Sequence, residues 1–140
     1  MDELVRAFFE TYAKANSTLD VAAIGDLYAE TFFFAIRNAA KPVRREDFLK
    51  VVPRMKEHFA SLGLTGTRLS SVETTDLGSG YALAKVRWAM TVRTGSELVK
   101  TFDVFATYLV QRDDRDKLSI LFQLDHQDLA AMVKQERDAD

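Results

Sequence analysis

Few side chains in this 140-residue chain can move a proton or hold a metal. Histidines stand only at positions 58 and 126, and cysteine is absent. That composition removes disulfides, thiolate–zinc and iron–sulfur sites, and any cysteine nucleophile. Two imidazoles are too few for a histidine-rich centre, so no metal and no cofactor are expected. His126 closes an alternating apolar run, so its ring is expected to face the interior. There it would act as a general acid or base near neutral pH; a hydrogen-bonded histidine at the rim is the competing reading. Asp125, one residue earlier, is expected on the opposite face as a cap for the helix that follows. His58 flanks an apolar stripe and reads as a surface residue. Tyr12 and Tyr28, on inward sides of helices, either donate to a ligand oxygen or satisfy a backbone carbonyl. Arg37-Asn38 and Arg44-Arg45 either gather an anion at a cavity mouth or are ordinary surface charge. Phosphate-binding glycine loops, paired histidines at metal spacing and a Ser–His–Asp order are absent as recognisable signals.

The elements that must position these groups fall into two halves. Up to residue 62 the chain reads mainly as helix. Leu4, Val5, Phe8, Phe9 and Tyr12 recur at helical spacing behind Asp2, a plausible cap. A second helix opens at Asp20 and carries Val21, Ile24, Leu27 and Tyr28 inward. The short aromatic stretch from Thr31 to Ile36 reads as a buried strand. Helical period returns from about Arg45 through Phe48, Val52, Met55, Phe59 and Leu62, with Gly63 as the stop; Pro53 should kink or split that helix.

After Gly63 the pattern has period two. Ala82, Ala84, Val86, Trp88, Met90 and Val92 share one face. Phe102, Val104, Ala106, Tyr108 and Val110 do so next, and then Leu118, Ile120, Phe122, Leu124 and His126. These are half-buried antiparallel strands in a meander. A three-residue loop at 94–96 would set Arg87 opposite Asp103 and Trp88 opposite Phe102; a loop near 114–116 would set Phe122 opposite Tyr108 and Leu124 opposite Ala106. Thirteen extended residues span roughly 40 Å, about the full width of a compact domain of this length. The sheet must therefore twist and coil around the helices. The expected fold is α+β: a curved antiparallel sheet wrapped around N-terminal helices, a cone-shaped half barrel forming a single domain over residues 1–140. A terminal helix follows, through Leu129, Met132 and Val133.

Composition narrows the function classes. Hydrophobic residues make up 47% and charged residues 29%, with net charge −2 and pI near 5.7. This balance predicts no nucleic-acid partner, and no apolar run is long enough to predict a membrane span. Without a signal pattern at the start, the default compartment is the cytoplasm.

The order of these elements resembles the nuclear-transport-factor-2-like superfamily, which includes ketosteroid isomerase, scytalone dehydratase and the SnoaL-like polyketide cyclases. Phe9-x-x-Tyr12, Asp20 followed by Leu27-Tyr28-Ala29-Glu30-Thr31, the hairpin centred on Gly95 and the Leu118–Asp128 ending carry the resemblance. It implies a cone fold with an apolar interior and a homodimer formed through the sheet. Tyr12 matches the isomerase's enolate-stabilising tyrosine. Ile36 and Ala106 stand where its two aspartates would be, so chemistry of that kind is not expected.

Three functions follow. The first is a small-molecule-binding protein for an apolar, aromatic, polyketide-like or steroid-like compound. Its pocket would be lined by Phe34, Ile36, Met55, Phe59, Trp88, Met90, Ala106, Tyr108 and Phe122, with Tyr12 and His126 as polar contacts. The second is a proton-transfer enzyme of isomerase, cyclase or hydrolase type using His126 and Tyr12. The third is a non-catalytic interaction module with a solid core.

Overall fold

A computed structural model describes residues 1–18, 20–95 and 97–139. Helices α1 (Asp2–Thr18) and α2 (Val21–Gly25) lead into β1 (Tyr28–Ile36), β2 (Ala39–Arg44) and α3 (Arg45–Ser61). The long strands β3 (Leu64–Gly78), β4 (Tyr81–Arg93) and β5 (Val99–Arg112) follow, then β6 (Leu118–Asp125) and α4 (Leu129–Ala139). The strands form one open, curved six-stranded sheet in the order β2-β1-β6-β5-β4-β3. Every neighbouring pair is antiparallel except β1–β6, which is parallel.

Local chemistry accounts for most of the boundaries. Asp20 caps α2 by accepting from Ala23 N at 3.1 Å. That helix ends at Gly25, so Tyr28 enters the core from the start of β1 and not from a helix as expected. The second strand was also unforeseen. Arg37-Asn38 forms its turn, with Asn38 at φ 67°, and Pro42 lies in β2 at the sheet's edge, where a missing N–H costs no ladder bond. Helix α3 runs through Pro53 as one element. Gly63 ends that segment at φ +95°, and a Cβ there would come within 2.4 Å of the Arg93 carbonyl oxygen. No other residue fits so close to the end of β4.

The β4–β5 pair keeps the expected faces in a shifted register. Arg93 pairs with Val99 across a longer connection, so Trp88 lies opposite Val104 and Ala84 opposite Tyr108. The shift is two residues, an even number, and the apolar faces stay together. Arg87 still reaches Asp103 diagonally, Nη2 to Oδ2 at 2.6 Å.

The β5–β6 pair departs from the expected pattern halfway along. Arg112 opposes Leu118 and Val110 opposes Ile120, the expected register. A bulge at Leu121 then makes Leu109 oppose Phe122, Tyr108 oppose Gln123 and Ala106 oppose Asp125. One extra residue reverses every later side chain. Phe122, Leu124 and His126 turn outward, and Gln123 and Asp125 turn toward the helices. The core between sheet and helices includes Val5, Phe9, Ile24, Phe32, Val86, Tyr108 and Ile120, with Leu129 and Val133 from α4.

Candidate functional site: the cavity of the cone

Between the inner sheet face and the helices lies a cavity of about 320 Å³. Helix α1 supplies Tyr12, α3 supplies Phe48, Met55 and Phe59, β4 supplies Trp88 and Met90, and β5 supplies Ala106 and Tyr108. Small residues make the hollow: Ala106 leaves room that a larger side chain would fill, opposite the ring of Tyr12 stacked on Trp88 with centroids 5.2 Å apart. Polar residues Asn16, Ser17, Lys56, Thr65, Thr67 and Gln127 also border the space, and Met55 is 40% exposed.

Four residues expected in the wall lie elsewhere. Phe34 packs against the margin of the core without reaching the cavity. Ile36 is 52% exposed at the end of β1. The bulge puts Phe122 on the outer face beside Phe33 and Leu109. His126 is exposed on that face, its Nε2 at 2.8 Å from Thr107 Oγ1. It is neither an interior base nor a cavity contact. The capping role expected of Asp125 belongs to Asp128, whose Oδ1 accepts from Ala130 N at 3.0 Å. His58 is exposed, as its flank position suggests. The arginines do not converge on the cavity: Arg44 pairs with Glu46 at 2.8 Å, and Arg45 donates to the Tyr28 carbonyl at 3.1 Å.

The inward reversal brings Asp125 to the cavity instead. Burial holds its carboxyl above the usual carboxylate range, opposed by a hydrogen bond from Gln123 and by the nearby His126. Gln123 is buried and hydrogen-bonded at both ends of its amide. Its Oε1 accepts from Tyr28 OH at 2.7 Å, and its Nε2 donates to Asp125 Oδ1 at 3.0 Å.

These bonds fix a direction. Tyr28 has one hydroxyl proton, and Gln123 receives it. The 3.3 Å contact between the Tyr12 and Tyr28 hydroxyls must therefore be donated by Tyr12. Trp88 Nε1, a donor only, gives to Tyr108 OH at 3.3 Å, and the Tyr108 ring packs edge-on against Tyr12 with centroids 5.7 Å apart. A chain of donors runs from Tyr12 through Tyr28 and Gln123 to the carboxylate. Burial raises the pKa of Tyr12, and raises those of Tyr28 and Tyr108 well above the phenol range, so all three stay protonated at neutral pH. Tyr12, expected to donate to a ligand, has its proton committed and meets the cavity with oxygen lone pairs.

Gln123 and Asp125 are the residues that the sequence pattern misplaced. The only local hint is the unbroken apolar triplet Ile120-Leu121-Phe122, where alternation can restart on either face. Among the described residues no group of three or more acidic, histidine or cysteine side chains could hold a metal. No helix of the described residues is long and apolar enough to cross a membrane.

Comparison with known proteins agrees with this architecture. Over residues 2–127 the chain matches the family described as NTF2-like protein (DUF6841). No curated protein matches it. An NTF-2-like protein of unknown function from Shewanella oneidensis MR-1 superposes with a TM-score of 0.69 at 17% identity, covering 90% of this chain and 98% of that one. A ketosteroid isomerase-like protein from Erwinia carotovora atroseptica gives 0.67 at 11% identity, covering 89% and 93%. A putative SnoaL-like polyketide cyclase from Shewanella denitrificans OS-217 gives 0.60 at 12%, covering 95% and 96%. At such identities the likeness is one of fold.

Proposed function

The chain belongs to the NTF2-like protein family (DUF6841), and we propose that it binds a small, largely apolar or aromatic molecule in the cone, with Asp125 engaging that molecule's polar group. One observation carries the reading: an aromatic-walled cavity of about 320 Å³ whose described lining includes a single carboxylate, within the size range of small-molecule sites, roughly 300–1,000 Å³. A module with a solid core would have no reason to keep alanine at position 106. The test is titration with the neutral fluorescent probe N-phenyl-1-naphthylamine, read by its emission and by quenching of Trp88, the only tryptophan. Saturable binding that Ala106→Leu abolishes while leaving the fold intact supports the proposal. No binding, or binding unaffected by A106L, overturns it.

A second reading has its own support. A cavity-facing carboxyl whose pKa is raised by burial is a stronger base than a solvated one, so Asp125 would take the base role expected of His126. The committed proton of Tyr12 favours binding over isomerase-type catalysis, since that phenol is not free to stabilise an oxyanion.

The outer face supports a homodimer formed through the sheet. Phe33, Phe122, Leu109 and Leu83 lie side by side across β1, β6, β5 and β4, an apolar stripe that pairing with a second copy would cover. Light scattering at twice the chain mass supports this arrangement; a single chain mass overturns it.

A further inference from the structure

We propose that the molecule taken up by the cone carries an amine, bound as its ammonium by Asp125 with an aromatic or aliphatic body against Tyr12, Trp88 and Phe59. The proposal rests on the cavity reading above and names the chemical class of its ligand.

The argument is one of hydrogen-bond polarity and charge. Asp125 Oδ1 is occupied by Gln123, and no hydrogen bond from a described residue reaches Oδ2. Among the described residues no fully buried side-chain nitrogen or oxygen lacks a partner, so Oδ2 opens onto accessible space, and Asp125 borders the cavity. The donor chain commits the protons of Tyr12 and Tyr28 along the network. Around Asp125 this leaves the free carboxylate oxygen and the lone pairs of Tyr12 as acceptors; the second amide hydrogen of Gln123 and the hydroxyl of Tyr108 are the donors left among these groups. At Asp125 a ligand group that brings hydrogen-bond donors therefore fits, and an anionic one would meet the carboxylate's like charge.

Charge points the same way. No described ion pair neutralises Asp125. Lys56, the cation among the lining residues, instead places its Nζ 3.4 Å from the exposed Ser17 carbonyl. A carboxylate desolvated without a cation is costly, and an incoming ammonium would relieve that cost while the rings present their negative faces to it. The titratable groups around Asp125 are the phenols of Tyr12, Tyr28 and Tyr108, which remain neutral, and the adjacent His126, whose positive form favours the carboxylate.

The test uses three probes of nearly equal shape: 2-phenylethylamine, 2-phenylethanol and phenylacetate, each titrated against the full chain by calorimetry and Trp88 emission. The amine is expected to bind at least about tenfold more tightly than the alcohol, and phenylacetate not at all. Amine affinity should rise with pH as Asp125 ionises and then level off. Asp125→Asn should bring the amine down to the alcohol's affinity, with Asp125→Leu as the alternative should D125N fail to fold. If the alcohol or phenylacetate binds as well as the amine, if amine affinity falls as Asp125 ionises, or if the amine preference survives in the variant, the amine assignment is wrong while the cavity reading stands. If N-phenyl-1-naphthylamine and all three probes leave Trp88 unchanged, both fall together.

Discussion

The two strand pairs that share β5 respond to sequence in opposite ways. Along β4–β5 the alternation runs unbroken for thirteen residues, and a shift of the whole register by two leaves every side chain on its expected face. Along β5–β6 the first three pairs follow the expected register, and then one extra residue at Leu121 reverses the rest. The first pair builds the wall of the cavity. The second decides which polar groups enter it, exchanging His126 for Asp125 and Phe122 for Gln123. Regular alternation thus makes a surface, and the break in alternation makes the site.

Single-residue changes in each pair should break or sharpen this contrast. Deleting Arg87 removes only an exposed side chain, yet it leaves β4 with one half out of phase and drives Lys85 or Thr91 inward. The loss should exceed about 4 kcal/mol, beyond most single substitutions, and chemical denaturation should find little native protein. A deletion variant with a normal unfolding midpoint would contradict the fixed facing of β4.

A smaller effect is expected at the polar network. Tyr28→Phe leaves the buried Oε1 of Gln123 without its donor, which should cost about 1 to 3 kcal/mol in equilibrium unfolding. It should also free the proton of Tyr12, so 2-phenylethanol and similar acceptors should bind better than to the wild type. Unchanged stability would show that the directed donor chain does not hold Gln123.

The mildest change should be deletion of Leu121. It takes out the extra residue itself, so Phe122 stays outward and Gln123 and Asp125 stay inward. The cost should be close to the partial burial of one leucine, about 1 kcal/mol. Quenching of Trp88 by the neutral probe should persist. Severe unfolding would mean that the bulge is needed for the bend of the sheet as well as for the facing of β6.

The architecture was legible because it depends on patterns that repeat. The helical spacing from Leu4 to Tyr12, the cap at Asp20, the stop at Gly63 and the runs from Ala82 and from Phe102 each signal an element several times over. Strand length against domain width then requires a curved sheet. Less of the site was legible. Tyr12, Met55, Phe59, Trp88, Met90, Ala106 and Tyr108 border the cavity because they sit on elements whose period is unbroken. Phe34 and Ile36 were misplaced because a strand's period says nothing about where the helices above it stop covering it. Phe122 and His126 were misplaced because alternation alone carries no sign of an inserted residue.

What the amino-acid order determined by itself was a set of amphipathic surfaces, since burying an apolar face is a local, periodic requirement that every turn or every second residue restates. What only the tertiary structure decided was the phase of β6 relative to β5 and the direction of the hydrogen bonds from Tyr12 to Asp125. The apolar triplet Ile120-Leu121-Phe122 supports either phase equally well in isolation. The choice is made where Gln123 meets Tyr28 across the core, a contact between residues 95 positions apart, and no local pattern can encode a partner at that distance.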